Sequence, residues 1–170
     1  EADVCHPCHQ NQRSGSNQAG QLTHIQILCN IGNVIAGAVA LPYDGILELL
    51  SSLKKMGVKM AIVSNKPDVE GKKLNAEHFA VFIDVALGEN EKSGIPRKPS
   101  PAMVYEAINQ LGAEPGKSLY VGDSDVDILT ARNAGIDCLS VTWGFKTAEF
   151  LSQFGATKMI DAPSQMLKII

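Results

Sequence analysis

The chain has 170 residues, of which 45% are hydrophobic and 19% charged, a length and composition typical of one domain with a buried core. Its formal net charge of −3 provides no basic surface, so we expect no nucleic-acid partner. No apolar run reaches the roughly 20 residues of a membrane-spanning helix, and we expect no signal peptide. The four cysteines are too sparse for a disulfide scaffold, so we expect a cytoplasmic protein without membrane contact.

The first part of the chain has an irregular pattern. Residues 1–21 are polar and rich in Gln, Asn, Ser and Gly, which predicts a flexible tail. Residues 22–41 are apolar without a clean helical period and form an atypical segment. Within it, residues 25–29 favour a strand, and residues 34–41 a second short strand or a buried segment.

From residue 42 onward, the pattern predicts a single α/β core domain over 42–170. Apolar positions at helical spacing alternate with short apolar runs, which indicates βαβ units and a parallel sheet covered on both faces. The predicted order is a helix from 46 that Gly57 ends, strand 58–63, helix 68–78, strand 81–87, polar loop 89–97, helix 100–111, strand 118–121, a helix to 134, strand 137–141, helix 147–153, strand 158–160 and a terminal helix from 164.

Polar side chains follow the predicted strands. Ser64 and Asn65 follow one strand, Lys98 precedes a helix, and Asp123 and Asp127 follow another strand. Ligands of such sheets bind beyond the carboxyl ends of the strands, and nearby carboxylates suit Mg²⁺, which bridges to phosphate. The alternative is that the acidic residues after the strand only cap the next helix.

Three segments in this order resemble motifs of the haloacid dehalogenase superfamily, and more closely its phosphoglycolate phosphatase-like branch. They are Ile-Val-Ser-Asn-Lys at 62–66, Arg-Lys-Pro-Ser-Pro at 97–101 and Tyr-Val-Gly-Asp-Ser-Asp-Val-Asp at 120–127. The resemblance covers about residues 42–170. It implies a three-layer core with a parallel sheet, and hydrolysis of a small phosphorylated metabolite through an aspartyl-phosphate.

The resemblance also implies roles for five residues. The Ser64 hydroxyl would bond the transferring phosphoryl group, Lys98 would neutralise its charge, and Asn65 would add a polar contact to the substrate. Asp123 and Asp127 would hold Mg²⁺.

The chain departs from the family in its first motif, Asp-x-Asp-Gly-Thr, which carries the nucleophile and is absent from the sequence. In the family, this motif ends the central strand of a sheet ordered 5-4-1-2-3, so that strand is either lost or replaced. We hypothesise that residues 25–30 replace it, which would put Asn30 at the nucleophile position and Gly32 at the acid/base position. Asp44 is better interpreted as a turn and helix N-cap than as a nucleophile.

The cap domain that selects substrates in this family is mostly absent, and residues 22–41 are alternatively a remnant of it. The sequence therefore predicts a magnesium-dependent phosphatase with impaired turnover. A second hypothesis is a catalytically inactive phosphate-binding or interaction protein on the same scaffold.

A third hypothesis concerns the segment Cys5-His6-Pro7-Cys8-His9. Its two thiols and two imidazoles could bind zinc, and its spacing also matches haem attachment. No second ligand pair follows at structural spacing, so an unstructured terminus is the favoured interpretation.

Overall fold

The structure is a computed structural model that describes residues 26–29 and 42–170. In these ranges, strands and helices alternate along the chain. None of the described helices combines the length and the apolar character needed to cross a bilayer. The strands are β1 (Gln26–Cys29), β2 (Lys59–Pro67), β3 (Val85–Glu89), β4 (Ser118–Gly122), β5 (Asp137–Val141) and β6 (Met159–Ile160). The helices are α1 (Ile46–Lys55), α2 (Asp68–His78), α3 (Ala102–Leu111), α4 (Asp125–Ala134) and α5 (Ala148–Gln153), with 3₁₀ turns at Glu91–Ser93, Pro115–Lys117 and Pro163–Lys168.

The strands form one six-stranded parallel sheet in the order β3-β2-β1-β4-β5-β6. β1 lies between β2 and β4, with Cys29 level with Ile62 on one side and Val121 on the other. A strand from residues 25–30 is predicted at this position, and the pairing of Gln26–Cys29 confirms it. Asn30, Gly32 and the predicted strand at 34–41 lie outside the described residues, as do the N-terminal cysteines and histidines.

Helices cover both faces of the sheet, as the alternation of side chains along β2 shows. Met60 and Ile62 belong to a buried cluster with α1, whereas Ala61 and Val63 belong to a second cluster with α3 and α4. Successive side chains of a strand point to opposite faces, so a strand buried on both faces is apolar throughout its length. The predicted three-layer α/β fold is confirmed.

The entry into α1 uses a glycine where the sequence predicts an aspartate cap. Asp44 lies in the turn, as expected, but the N-cap residue is Gly45, with a φ of 81°. This left-handed conformation is strained for residues with a Cβ atom. Asp44 therefore belongs to the turn that leads into α1 and is not the capping residue.

Three other boundaries differ from the predictions. β2 extends to Pro67, so Ser64 and Asn65 lie inside the strand. β3 begins at Val85 rather than at 81, because Phe82 and Ile83 form a turn bonded to Phe79 after α2. The predicted terminal helix from 164 is a 3₁₀ segment.

The central position of β1 can be tested with Leu28→Pro. Leu28 pairs with Ala61 and Tyr120, and proline has no N–H to donate to the sheet. We expect the free energy of unfolding in urea to fall by at least about 1–3 kcal/mol, because a buried carbonyl loses its donor. Leu28→Val is the matched control, since it keeps the N–H and suits a strand. Equal losses in the two variants would contradict the pairing.

Candidate functional site

The site lies at the carboxyl edge of the sheet, around the ends of β1, β2 and β4. Ile62 and Val121 are both level with Cys29. Ser64 comes two residues after Ile62, and Asp123 two residues after Val121. Parallel strands end at the same edge, so Ser64 and Asp123 flank the carboxyl end of β1.

A buried ion pair joins the loop before α3 to the first turn of α4. The Nζ atom of Lys98 lies 2.7 Å from Oδ1 of Asp127. Their side chains are only 3% and 0% exposed. Two charges removed from water are stable only when each is closely compensated, so this pair fixes the position of both residues.

Protein donors surround the Asp127 carboxylate. Its Oδ1 also accepts from the Tyr120 hydroxyl (3.1 Å), and its Oδ2 accepts from the Ser124 hydroxyl (2.6 Å) and the Asp123 N–H (3.2 Å). Burial alone raises the pKa of Asp127, but the charge of Lys98 and the side-chain hydrogen bonds outweigh it and hold the pKa below its ordinary value. The sequence predicts Asp127 as a metal ligand; in this arrangement a metal bond requires one of these donors to leave.

Asp123 lies in a different environment. Its Oδ2 accepts from the Phe145 N–H at 3.0 Å, whereas its Oδ1 is buried and has no hydrogen-bond partner among residues 26–29 and 42–170. Burial raises the pKa of Asp123, and the nearby charge of Asp127 adds to this, against the lowering effects of the Phe145 N–H and Lys98. A buried carboxylate oxygen without a partner is costly, and a cation at this oxygen would compensate it.

The residues present fit a magnesium ion that takes few ligands from the protein. Mg²⁺ keeps several waters and commonly binds one or two carboxylates together with substrate phosphates. The Oδ1 atom of Asp123 is such a ligand. In residues 26–29 and 42–170, no group of three or more His, Cys, Asp and Glu side chains could hold a metal.

Two glycines allow the carboxylates to lie against the backbone. A Cβ atom at Gly122 would overlap the side chain of Asp127, and one at Gly144 would overlap the carboxylate of Asp123. Gly144 directly precedes Phe145, whose N–H bonds Asp123. The loop after β5 is thus part of the site, and these tight contacts require glycine.

Ser64 and Asn65 form the β2 side of the site. Ser64 is 6% exposed, and its hydroxyl oxygen accepts from the Lys66 N–H at 3.2 Å. Since that bond uses a lone pair, the Ser64 O–H can donate to an anion. Both polar atoms of the Asn65 side chain bond the backbone of Lys98.

Four of the five site residues predicted from the sequence form one continuous network, and the fifth, Ser64, precedes Asn65 in β2. Asn65 links β2 to Lys98, Lys98 pairs with Asp127, and Asp127 accepts from the Asp123 N–H. The alternative interpretation of the acidic residues as helix caps does not describe Asp123, whose carboxylate contacts Phe145.

Sequence reasoning did not identify four contributors to the site. The Phe145 contact is made by a backbone N–H, which leaves no mark in the sequence. Tyr120 occupies an apolar position within a strand, which does not indicate a site. Ser124 directly precedes a helix, where serine is a common N-cap. Gly144, after a strand, is the one signal that could have indicated a close approach.

The chain is similar to known phosphatases in sequence and in fold. The sequence model of the haloacid dehalogenase-like hydrolase family matches residues 18–141. An N-acetylmuramic acid 6-phosphate phosphatase from Pseudomonas aeruginosa is 32% identical over 138 residues. A phosphoglycolate phosphatase from Aquifex aeolicus is 34% identical over 131 residues. A crystal structure from Lactobacillus delbrueckii subsp. bulgaricus, of a protein proposed to be a phosphoglycolate phosphatase, has a TM-score of 0.73 at 44% identity.

These matches cover most of this chain but little more than half of its relatives. Each involves 76% of the present chain. They span 57% of the P. aeruginosa protein, 59% of the A. aeolicus protein and 53% of the L. delbrueckii chain.

The compensation between Lys98 and Asp127 can be measured by removing one partner or both. We expect Lys98→Met to reduce the free energy of unfolding by about 3–5 kcal/mol, because it leaves a buried carboxylate uncompensated. The double variant Lys98→Met/Asp127→Asn should recover much of this loss. Urea unfolding followed by circular dichroism measures both, and a double variant no more stable than the single one would contradict the pairing.

The close approach of Gly144 to Asp123 predicts that Gly144→Ala is destabilising. The added methyl must displace the carboxylate or the loop, and overpacking of this kind costs about 1–3 kcal/mol. Gly116→Ala is the matched control, since a Cβ there meets nothing within 4 Å. Thermal unfolding of the two variants makes the comparison, and a Gly144→Ala variant as stable as the control would show that the loop accommodates the methyl.

Proposed function

The chain belongs to the haloacid dehalogenase-like hydrolases, in the phosphoglycolate phosphatase-like branch, and on this premise we propose that it is a magnesium-dependent phosphatase with low turnover. The observation that carries the proposal is the buried Lys98–Asp127 pair beside the Oδ1 of Asp123, which has no partner in the part of the chain that the structure describes. A cation-binding oxygen and a compensated ammonium at one edge of a parallel sheet suit a phosphate monoester, whose charge both would neutralise.

Each residue has a distinct role in this proposal. The Ser64 hydroxyl donates a hydrogen bond to a phosphoryl oxygen, and the Lys98 ammonium neutralises charge that develops on the phosphoryl group. Asp123 holds the magnesium ion, which when bound supplies further charge neutralisation. Asp127 holds the Lys98 side chain in place, and so acts on the phosphoryl group through Lys98.

The low turnover follows from the absence of the first motif. The family reaction passes through an aspartyl-phosphate and needs a carboxylate nucleophile. Alignment of residues 25–30 with the motif puts Asn30 at the nucleophile position and Gly32 at the acid/base position. A neutral amide is a poor nucleophile toward phosphorus, so we propose that this chain binds phosphate esters and hydrolyses them only slowly, with water attacking phosphorus directly as the bond to the alcohol breaks.

We infer the substrate class from the relatives. Their names refer to N-acetylmuramic acid 6-phosphate and to phosphoglycolate, both small phosphate monoesters. The negative net charge of this chain makes a polyanionic nucleic acid an unfavourable partner. A small phosphorylated metabolite is therefore the proposed substrate.

The absence of the first motif also supports the second candidate, a phosphate-binding protein without turnover on the same scaffold. Both candidates predict that the site binds inorganic phosphate or orthovanadate. Turnover separates them.

Hydrolysis of p-nitrophenyl phosphate by the purified chain, with and without Mg²⁺, tests the proposal. We expect slow, magnesium-dependent release of nitrophenol that Asp123→Asn abolishes, since the amide lacks the charge that binds the cation. Asp125→Asn is the matched control in the same turn and should retain the activity. Binding of orthovanadate without turnover would favour the second candidate, and neither binding nor turnover would overturn both.

A second arm of this experiment restores the first motif. Asn30→Asp with Gly32→Asp should raise the rate at least about a hundredfold, the scale of a well-placed catalytic group. An unchanged rate in this variant would show that residues 25–30 do not stand in for the family's first strand in the chemistry.

A further inference from the structure

The Lys98 side chain is buried although its loop is not. Arg97 and Pro99 on either side of it are exposed. Arg97 lies 4.0 Å from Glu89 and 3.8 Å from Glu91, and long ion pairs at an exposed side chain contribute little. The bond to Asp127 holds the end of the Lys98 side chain, so the backbone of the loop at Lys98 needs an anchor of its own.

Asn65 provides that anchor. Its Oδ1 accepts from the Lys98 N–H at 2.6 Å, and its Nδ2 donates to the Lys98 carbonyl at 3.2 Å. The amide side chain thus bonds both backbone groups of one residue, as a neighbouring strand would do. Because Asn65 lies in β2, next to Ser64, its two hydrogen bonds hold the Lys98 backbone against the sheet.

A second asparagine, Asn133, bonds the same loop at the next residue. The Nδ2 of Asn133, in α4, donates to the Pro99 carbonyl at 2.9 Å. Its contact is one residue beyond Lys98 and leaves the N–H of Lys98 to Asn65. The two contacts can therefore be distinguished by hydrogen exchange, because only the Asn65 contact protects the Lys98 N–H.

We propose that Asn65 is a positioning residue for Lys98 and acts on the phosphoryl group only through it; this rests on the function proposed above for Lys98. The sequence resemblance suggests a direct contact between Asn65 and the substrate, but both polar atoms of Asn65 point to the Lys98 backbone. Displacement of a charged group by about 1 Å is enough to weaken its action on a substrate substantially. Loss of the Asn65 contacts should therefore weaken anion binding even though Lys98 is still present.

Amide hydrogen exchange at Lys98, followed by NMR, tests the anchor without any ligand. Asn65→Ala should raise the exchange rate of the Lys98 N–H at least tenfold. Asn65→Asp keeps an acceptor oxygen and should preserve most of the protection. Asn133→Ala, the matched control, should leave that N–H protected. Unchanged exchange in Asn65→Ala would overturn the proposal.

Orthovanadate binding tests the functional part, with the fluorescence of Trp143, the only tryptophan in the chain, as the signal. In the native background, Asn65→Ala should weaken binding about tenfold. In the Lys98→Met/Asp127→Asn background, it should have no further effect, because Asn65 acts through Lys98. An equal loss in both backgrounds would mean that Asn65 contacts the anion directly and would overturn the proposal. A native chain that binds no vanadate contradicts the proposed function, and the exchange rate of the Lys98 N–H then decides whether the anchor exists.

Discussion

The buried pair between Lys98 and Asp127 is the constraint on which the site depends. Neither charge is stable in the interior unless its partner and further polar groups compensate it. This requirement explains why the Tyr120 and Ser124 hydroxyls and a backbone N–H converge on one carboxylate. It also explains why Gly122 is a glycine, since a side chain there would occupy the space of Asp127. The start of α4 and the end of β4 are thus shaped by one ion pair.

The two carboxylates of the site differ in how many hydrogen bonds their oxygen atoms accept from the protein. Both oxygens of Asp127 accept hydrogen bonds, and its pKa is lowered, whereas Asp123 has a raised pKa and a buried oxygen without a partner within the described ranges. Carboxylates a few residues apart commonly take different roles when their environments push their pKa values apart. In the proposed function, this difference assigns Lys98 to Asp127 and the magnesium ion to Asp123.

The sequence predicts the order of the helices and strands well, but the contacts within the site only in part. Apolar periodicity and glycine stops predict the order of α1, β2, α3, β4 and α4. The central strand is predicted because the missing motif leaves a position in the middle of the family's sheet that another segment must fill. β3 is misplaced because the apolar residues before it pack as a turn against the core. The contact of the Phe145 N–H with Asp123 joins positions far apart in the chain through the backbone, which no side-chain pattern records.

β1 lies in the middle of the sheet although it comes first among the described strands. It pairs with β2, which follows soon afterwards, and with β4, where Gln26 meets Ser118. Contacts between distant parts of a chain form late, since closing a long loop costs entropy before the pairing stabilises it. On the ribosome, β1, β2 and β3 can therefore assemble first, while the other edge of β1 stays open until β4 has been synthesised. Unpaired strand edges are where nascent chains associate, so this edge of β1 is a place where the growing chain can associate until β4 has left the ribosome.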